Sequence, residues 1–253
     1  MLNARHGVDM DTSTAPSSSS NNVVASDDDI TNYLRSTDII DWQHPDVRAQ
    51  AKQLADNATL SNQNPVSTTF RQDNGGVDRE YAIAQACFEW VRDTIHHSVD
   101  YQLNPVTYRA SDVLKYRTGY CYAKSHLLAA LLRANQIPTG FCYQRLSVDD
   151  TGAPYSLHGF NGIYLPNLLS NGNWYRVDPR GNKQGVNAQF CPPKEQLAFA
   201  LQFAEEADFV TVLTDPLPVV LECLKTQPTW DAVLVNLPDI ALPEAKRLGL
   251  KMG

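Results

Sequence analysis

The stretch RTGYCYAKSHLLAALLRA, residues 117–134, places a cysteine at the start of a leucine-rich helix. Its leucines recur at helical spacing after a turn that contains Gly119. The free N–H groups and partial positive charge of a helix N-terminus would favour a thiolate at Cys121 and could stabilise an oxyanion. Gly119 would leave room for a substrate to approach the backbone. Packing in a core helix explains a cysteine here equally well, so position alone does not decide its role.

Helices are predicted before this stretch and strands after it. Residues 46–58 and 78–99 carry apolar side chains at helical spacing. Three strands then follow in PTGFCYQRLSV, YSLHGFNGIYLP and NGNWYRVD, with Asn171-Gly172 as a hairpin signal between the last two. Beyond them we predict a helix over 194–206, a strand at FVTVL and a helix at VVLECLK. Helices followed by an antiparallel meander indicate an α+β fold.

Composition narrows the functional class. The chain has 253 residues, 43% of them hydrophobic, and a net charge of −7, as in an ordinary globular protein without a nucleic-acid surface. Its longest apolar run is far shorter than the ~20 residues that span a bilayer, and its first 20 residues lack the apolar core of a signal peptide. We therefore expect a cytoplasmic protein that binds neither membrane nor nucleic acid. The five cysteines are irregularly spaced and neither CxxC nor HExxH occurs, which predicts free thiols and no metal site.

Two polar residues on predicted strands could work with the cysteine. His158 lies near the start of a strand in SLHGFNGIYL, and Asp178 ends the next strand in NWYRVDPRGN. Adjacent strands lie about 4.8 Å apart, so side chains on the same face can meet if the register allows it. A strand histidine with an ordinary hydrogen bond and a routine Asp-Pro turn are the alternatives. His96 and His97 are predicted to close a helix.

Three short motifs in a fixed order carry a family resemblance. They are Gly119-Tyr120-Cys121-Tyr122, Leu157-His158-Gly159-Phe160-Asn161 and Trp174-Tyr175-Arg176-Val177-Asp178-Pro179. Together, over roughly residues 78–185, they resemble the transglutaminase-like family. The resemblance implies a papain-like fold in which a cysteine-bearing helix packs on an antiparallel sheet. It also implies Cys121 as nucleophile, His158 as its base, Asp178 as the group that orients the histidine, and no cofactor.

The implied chemistry is attack of a thiolate on an acyl carbonyl to give a thioester. We expect a thiol amidase or peptidase that acts on a peptide or protein substrate. The alternatives are an acyl transferase that joins glutamine to amines, and a non-catalytic binding module. Tyr101 and Gln102 are candidates for the second oxyanion donor, although both could be ordinary loop residues.

The domain organisation follows from the same resemblance. We expect a disordered tail over 1–28, a helical extension over 29–76, a transglutaminase-like catalytic core over 77–190, and a C-terminal extension over 191–253 packed on that core.

Overall fold

The cysteine-bearing helix packs against an antiparallel sheet in the computed structural model, which describes residues 23–61, 77–166 and 174–253. The α-helices in these ranges are α1 (Pro45–Ser61), α2 (Val77–Thr94), α3 (Ser98–Tyr101), α4 (Ala110–Tyr116), α5 (Cys121–Ala134), α6 (Pro218–Thr226), α7 (Trp230–Val235) and α8 (Leu242–Arg247), with a 3-10 helix at Ile30–Leu34. The strands are β1 (Val24–Ala25), β2 (His96–His97), β3 (Thr118–Gly119), β4 (Thr139–Ser147), β5 (Tyr155–Tyr164), β6 (Trp174–Val177), β7 (Gln189–Cys191), β8 (Lys194–Gln196) and β9 (Ala207–Leu213).

Helix α5 is the centre of the core because it is buried on every side. Every residue from Cys121 to Arg133 is buried. The helix packs against α1, α2 and α4 on one side and against β4 and β5 on the other. The predicted helix around Cys121 is confirmed, and its first residue is the cysteine itself.

The main sheet has the strand order β1-β9-β4-β5-β6. Strands β4, β5 and β6 form the predicted antiparallel meander, with Gln144 opposite His158 and Val177 opposite Asn161. The α+β fold class, with its cysteine-bearing helix on an antiparallel sheet, is therefore confirmed. The predicted Asn171-Gly172 turn lies outside the described residues.

Gly159 allows α5 and β5 to approach closely beside the histidine. A Cβ atom at this position would lie 2.8 Å from Cδ1 of Tyr122, which is too short for a normal contact. Tyr122 also fixes this approach through its hydroxyl, which donates a hydrogen bond to the carbonyl of Leu157. The His-Gly pair in the sequence thus reflects packing of the strand directly on the cysteine helix.

The segment 194–206, predicted to be a helix, is not helical. Its first residues form β8, which pairs with β7. Two tertiary contacts oppose a helix here: Glu195 accepts a 2.7 Å hydrogen bond from Arg176, and the amide of Ala198 donates to Asp178 at 3.1 Å. Tertiary contacts of this kind override local helical propensity. The predicted strand at FVTVL and helix at VVLECLK are confirmed as β9 and α6.

Strands β1 and β9 extend the main sheet beyond the predicted meander. Residues 23–28 were predicted to be disordered, but β1 pairs in parallel with β9 and the amide of Ser26 donates to the carbonyl of Val212 at 2.9 Å. The predicted tail over 1–22 lies outside the described residues. The boundary at residue 190 stays a prediction, although β9, which follows it, is an inner strand of the sheet.

Candidate active site

Cys121 stands at the first position of α5 with its thiol at the floor of a cleft. The preceding residue, Tyr120, makes no side-chain hydrogen bond to the first amides of the helix, and no acidic residue lies in the first turn. Those amides therefore remain available to a ligand. Gly119 does not leave the substrate room that we expected, because a Cβ there would meet Cβ of Ala123 at 2.9 Å. Its space is filled by the protein.

His158 and Asp178 form a hydrogen bond within the buried wall of the same cleft. Nε2 of His158 lies 2.7 Å from Oδ2 of Asp178. Asp178 is fully buried and also accepts from the amides of Arg180 and Ala198, both at 3.1 Å. Burial alone would raise the pKa of this carboxyl, but the charge of His158 and the three hydrogen bonds lower it below its ordinary value. Asp178 is thus held as an anion.

The imidazole of His158 links this carboxylate to the thiol. Burial alone would lower its pKa, but the negative charges of Asp178 and Cys121, with hydrogen bonds to both, raise the pKa of His158 to about 9. Since Nε2 is occupied by Asp178, Nδ1 is the ring nitrogen left for Cys121. The aromatic rings of Phe160 and Phe199 lie 5.9 and 5.0 Å from the imidazole, which fixes its plane. The structure therefore brings together all three residues selected from the sequence.

The cleft in front of these groups has an empty volume of about 880 Å³, a figure that includes open solvent at its mouth. Its walls are both apolar and charged, and they include His97, Tyr120, Leu146, Asp149, Arg180, Lys183, Phe199 and Leu237. Leu237 comes from the C-terminal part of the chain, where the carbonyl of Pro238 accepts a 2.8 Å hydrogen bond from the amide of Leu157. The residues after 190 thus help to shape access to the histidine, which is one residue further along β5.

Tyr101 and Gln102, the predicted candidates for the second oxyanion donor, do not lie at this cleft. Tyr101 is 59% exposed and stacks on the ring of His96, with 4.2 Å between the centroids. Gln102 follows α3 in the left-handed conformation and is exposed. Neither side chain lines the cleft, so the structure does not support this assignment.

His97 lines the cleft, a position that the sequence did not predict. Helix α2 ends at Thr94, so His97 does not close a helix as predicted. It lies instead in β2, opposite Gly119 of β3, and its side chain is buried beside the cleft. A strand of two residues has no measurable periodicity, and the sequence therefore carried no signal for this placement.

All five cysteines have free thiols, but only Cys121 shares its cleft with a histidine–carboxylate pair among the described residues. Burial raises the pKa of the Cys87 thiol to about 12, and it also raises the pKa of Cys142. Cys191 is partly exposed on the β7–β8 hairpin. These differences single out Cys121 as the thiol placed for chemistry.

Comparison with protein families identifies the segment that contains the site. The model of the transglutaminase-like superfamily matches residues 67–179, a range that includes Cys121, His158 and Asp178. This segment is transglutaminase-like. The predicted family resemblance is thereby confirmed over a range that contains the three quoted motifs.

Several solved structures resemble this chain over part of its length. A proposed cysteine protease from Cytophaga hutchinsonii is 21% identical, with a TM-score of 0.38 over 61% of this chain and 43% of that one. The periplasmic domain of TgpA from Pseudomonas aeruginosa is 18% identical, with a TM-score of 0.35 over 59% and 48%. Red sea bream transglutaminase is 14% identical, with a TM-score of 0.37 over 57% and 28%. This chain spans less than half the length of each. Among curated protein sequences, none matches significantly.

Two kinds of feature are missing from the described ranges. No helix there is long and apolar enough to cross a membrane. No group of three or more His, Cys, Asp or Glu side chains in these ranges could hold a metal ion. The cytoplasmic location stays a prediction.

Proposed function

We propose that this chain is a thiol amidase or peptidase that forms a thioester on Cys121. The observation that carries the proposal is the 2.7 Å hydrogen bond between His158 and the buried Asp178, in the wall of the cleft where Cys121 begins its helix. A nucleophile, a base and a group that orients the base are the parts that covalent acyl transfer needs.

Acylation begins with attack of the Cys121 thiolate on the carbonyl carbon of a bound amide. The C–S bond forms while the carbonyl π electrons move to oxygen, where the free amides at the start of α5 stabilise the oxyanion. The imidazolium of His158 then gives its proton to the leaving nitrogen as the C–N bond breaks. An amine departs and the acyl group remains on sulfur as a thioester.

Deacylation reverses these roles with water as the nucleophile. The neutral imidazole of His158 takes one proton from the attacking water, the C–O bond forms, and the C–S bond breaks to release the Cys121 thiolate. Asp178 keeps the ring in one tautomer and stabilises the imidazolium formed in each half-reaction. The charged walls of the cleft, which include Asp149, Arg180 and Lys183, keep it wet and thus favour water as acceptor.

Selective alkylation tests the activated thiol. At pH 6 we expect iodoacetamide to label Cys121 roughly tenfold or more faster than Cys191, because a histidine cation beside a thiol favours the thiolate. The advantage should shrink above about pH 9, where His158 loses its proton. The measurement is mass-spectrometric peptide mapping of the full chain over time at several pH values.

Cys191 serves as the internal control because it is a partly exposed free thiol outside the cleft. Equal and slow labelling of both thiols at pH 6 would argue against a thiolate at Cys121. A labelled primary amine that becomes attached to a protein substrate, without comparable hydrolysis, would replace the amidase by an acyl transferase. If Cys121 is still labelled faster than Cys191 but neither hydrolysis product nor incorporated amine is detected, the chain is a binding module.

A further inference from the structure

His97 is a buried side chain of the cleft that the proposed chemistry does not use. It is only 7% exposed, and its ring centroid lies 5.6 Å from that of Tyr120, the residue before the nucleophile. Nδ1 of His97 has no hydrogen-bond partner among the described residues. Buried polar atoms of native proteins usually have a partner, so an unpaired ring nitrogen on a residue that lines the same cleft as Cys121 requires an explanation.

The surroundings of His97 determine which of its nitrogens carries the proton. Nδ1 lies 3.8 Å from Oδ2 of Asp100. Asp100 is held in place by Arg180, whose guanidinium donates to it at 2.8 and 3.1 Å, and by Lys183 at 2.7 Å. A fixed carboxylate near Nδ1 favours the tautomer with the proton on that nitrogen. Nε2, at the opposite edge of the ring, is then left with a lone pair.

His97 is also held in its neutral form. Burial, with the positive charges of Arg180, Lys124, His158 and Lys183, keeps the pKa of His97 well below its ordinary value. The pKa values of the two histidines of the cleft are thus shifted in opposite directions. His158 is held as a cation and His97 as a neutral hydrogen-bond acceptor. Opposite shifts in neighbouring groups are typical of sites that divide proton donation and acceptance between two residues.

We propose that His97 positions the nucleophile of the second half-reaction by accepting a hydrogen bond at Nε2, an inference that rests on the proposed thioester at Cys121. Water, or a primary amine in its place, has one proton to give to His158 and a second one to direct at His97. As water attacks, the first proton moves to His158, the C–O bond forms and the C–S bond breaks. The second proton stays on the product acid, which loses it to solvent. His97 is therefore a positioning residue and is not itself protonated.

A burst experiment separates this role from others. With p-nitrophenyl acetate, the first p-nitrophenol released reports acylation of Cys121, and the steady rate that follows reports deacylation. For His97→Phe, which keeps a ring but no nitrogen, we expect a burst rate within about twofold of the unaltered protein. The steady rate should fall roughly tenfold, which is the effect expected from the loss of about one hydrogen bond.

Two further variants test the position of the acceptor and guard against misfolding. His97→Gln can place an amide oxygen near the former Nε2, whereas His97→Asn reaches only to the Nδ1 position. We expect His97→Gln to recover part of the steady rate and His97→Asn to resemble His97→Phe. Circular dichroism and the rate of Cys121 alkylation report whether each variant retains the fold and the thiolate.

Three outcomes would overturn the assignment. Equal losses in burst and steady rate would make His97 an oxyanion donor, because both half-reactions pass through an oxyanion. Unchanged kinetics in all three variants would make it a packing residue. Release of p-nitrophenol by the unaltered protein no faster than by Cys121→Ala would refute the proposed function itself, and the role of His97 with it.

Discussion

Asp178→Asn is expected to reduce turnover of an amide substrate by roughly 10³–10⁴-fold, the loss that follows when an orienting carboxylate becomes an amide. Oδ2 of Asp178 faces two donors, Nε2–H of His158 and the amide of Ala198. An asparagine NH₂ group at this position would oppose both. His158 would respond by moving its proton to Nδ1, where it points at Cys121 and can no longer accept the thiol proton.

The stability cost of Asp178→Asn should be much smaller than its kinetic cost. The remaining amide oxygen can still accept from Arg180, and one unsatisfied donor costs about 1–3 kcal/mol of unfolding free energy. Initial rates and urea unfolding of the same preparation measure the two effects.

Asp208→Asn is the matched control for this prediction. It makes the same chemical change at a partly buried carboxylate of β9, which accepts hydrogen bonds from Arg176 at 2.7 and 3.0 Å and none from His158. This variant should lose stability but keep its turnover per folded molecule. Equal turnover in Asp178→Asn and the unaltered protein would contradict the orienting role.

Arg133→Met should have the largest effect on stability, a loss of about 3–5 kcal/mol, the usual cost of breaking a buried charge-assisted network. Arg133 is fully buried on α5 and donates to three backbone carbonyls: Thr139 at 3.0 and 2.8 Å, Thr214 at 2.7 Å and Arg35 at 2.8 Å. Methionine fills much of the space but satisfies none of these oxygens. The cysteine helix would thus lose its attachment to β4 and to the segments around Arg35 and Thr214.

Urea unfolding measures this loss, with Arg109→Met as the control. Arg109 precedes α4, is exposed and makes no side-chain cap to that helix, so its replacement should change the unfolding free energy by about 0.5 kcal/mol or less. Similar small losses in both variants would show that the carbonyls around Arg133 find water or other donors.

The elements with long periodic patterns were predictable from the sequence. Helix α5 and strands β4 to β6 each carry an extended pattern of apolar residues, so their type and order followed from local spacing. The choice of Cys121, His158 and Asp178 depended in addition on the family resemblance. Their alignment required the register in which Asn161 pairs with Val177, and the sequence does not fix strand register.

The rest of the site depends on contacts between distant residues. His97 reaches the cleft through a strand of two residues. Arg180, whose amide donates to Asp178, reaches with its side chain to Asp100, which lies 80 positions earlier in the chain. The segment around Ala198 has a helical pattern but is not helical, and the amide of Ala198 donates instead to Asp178. Local propensity carries no information about any of these three features.

The central claim is that Cys121 carries the acyl group. Its most direct measurement is the mass of the protein quenched in acid during turnover of p-nitrophenyl acetate, followed by peptide mapping. We predict one acetyl group on the peptide that contains Cys121, its loss on treatment with hydroxylamine, and its absence from Cys121→Ala. An unmodified Cys121 in the presence of turnover, or an acetyl group on Cys191 that persists in Cys121→Ala, would contradict the account.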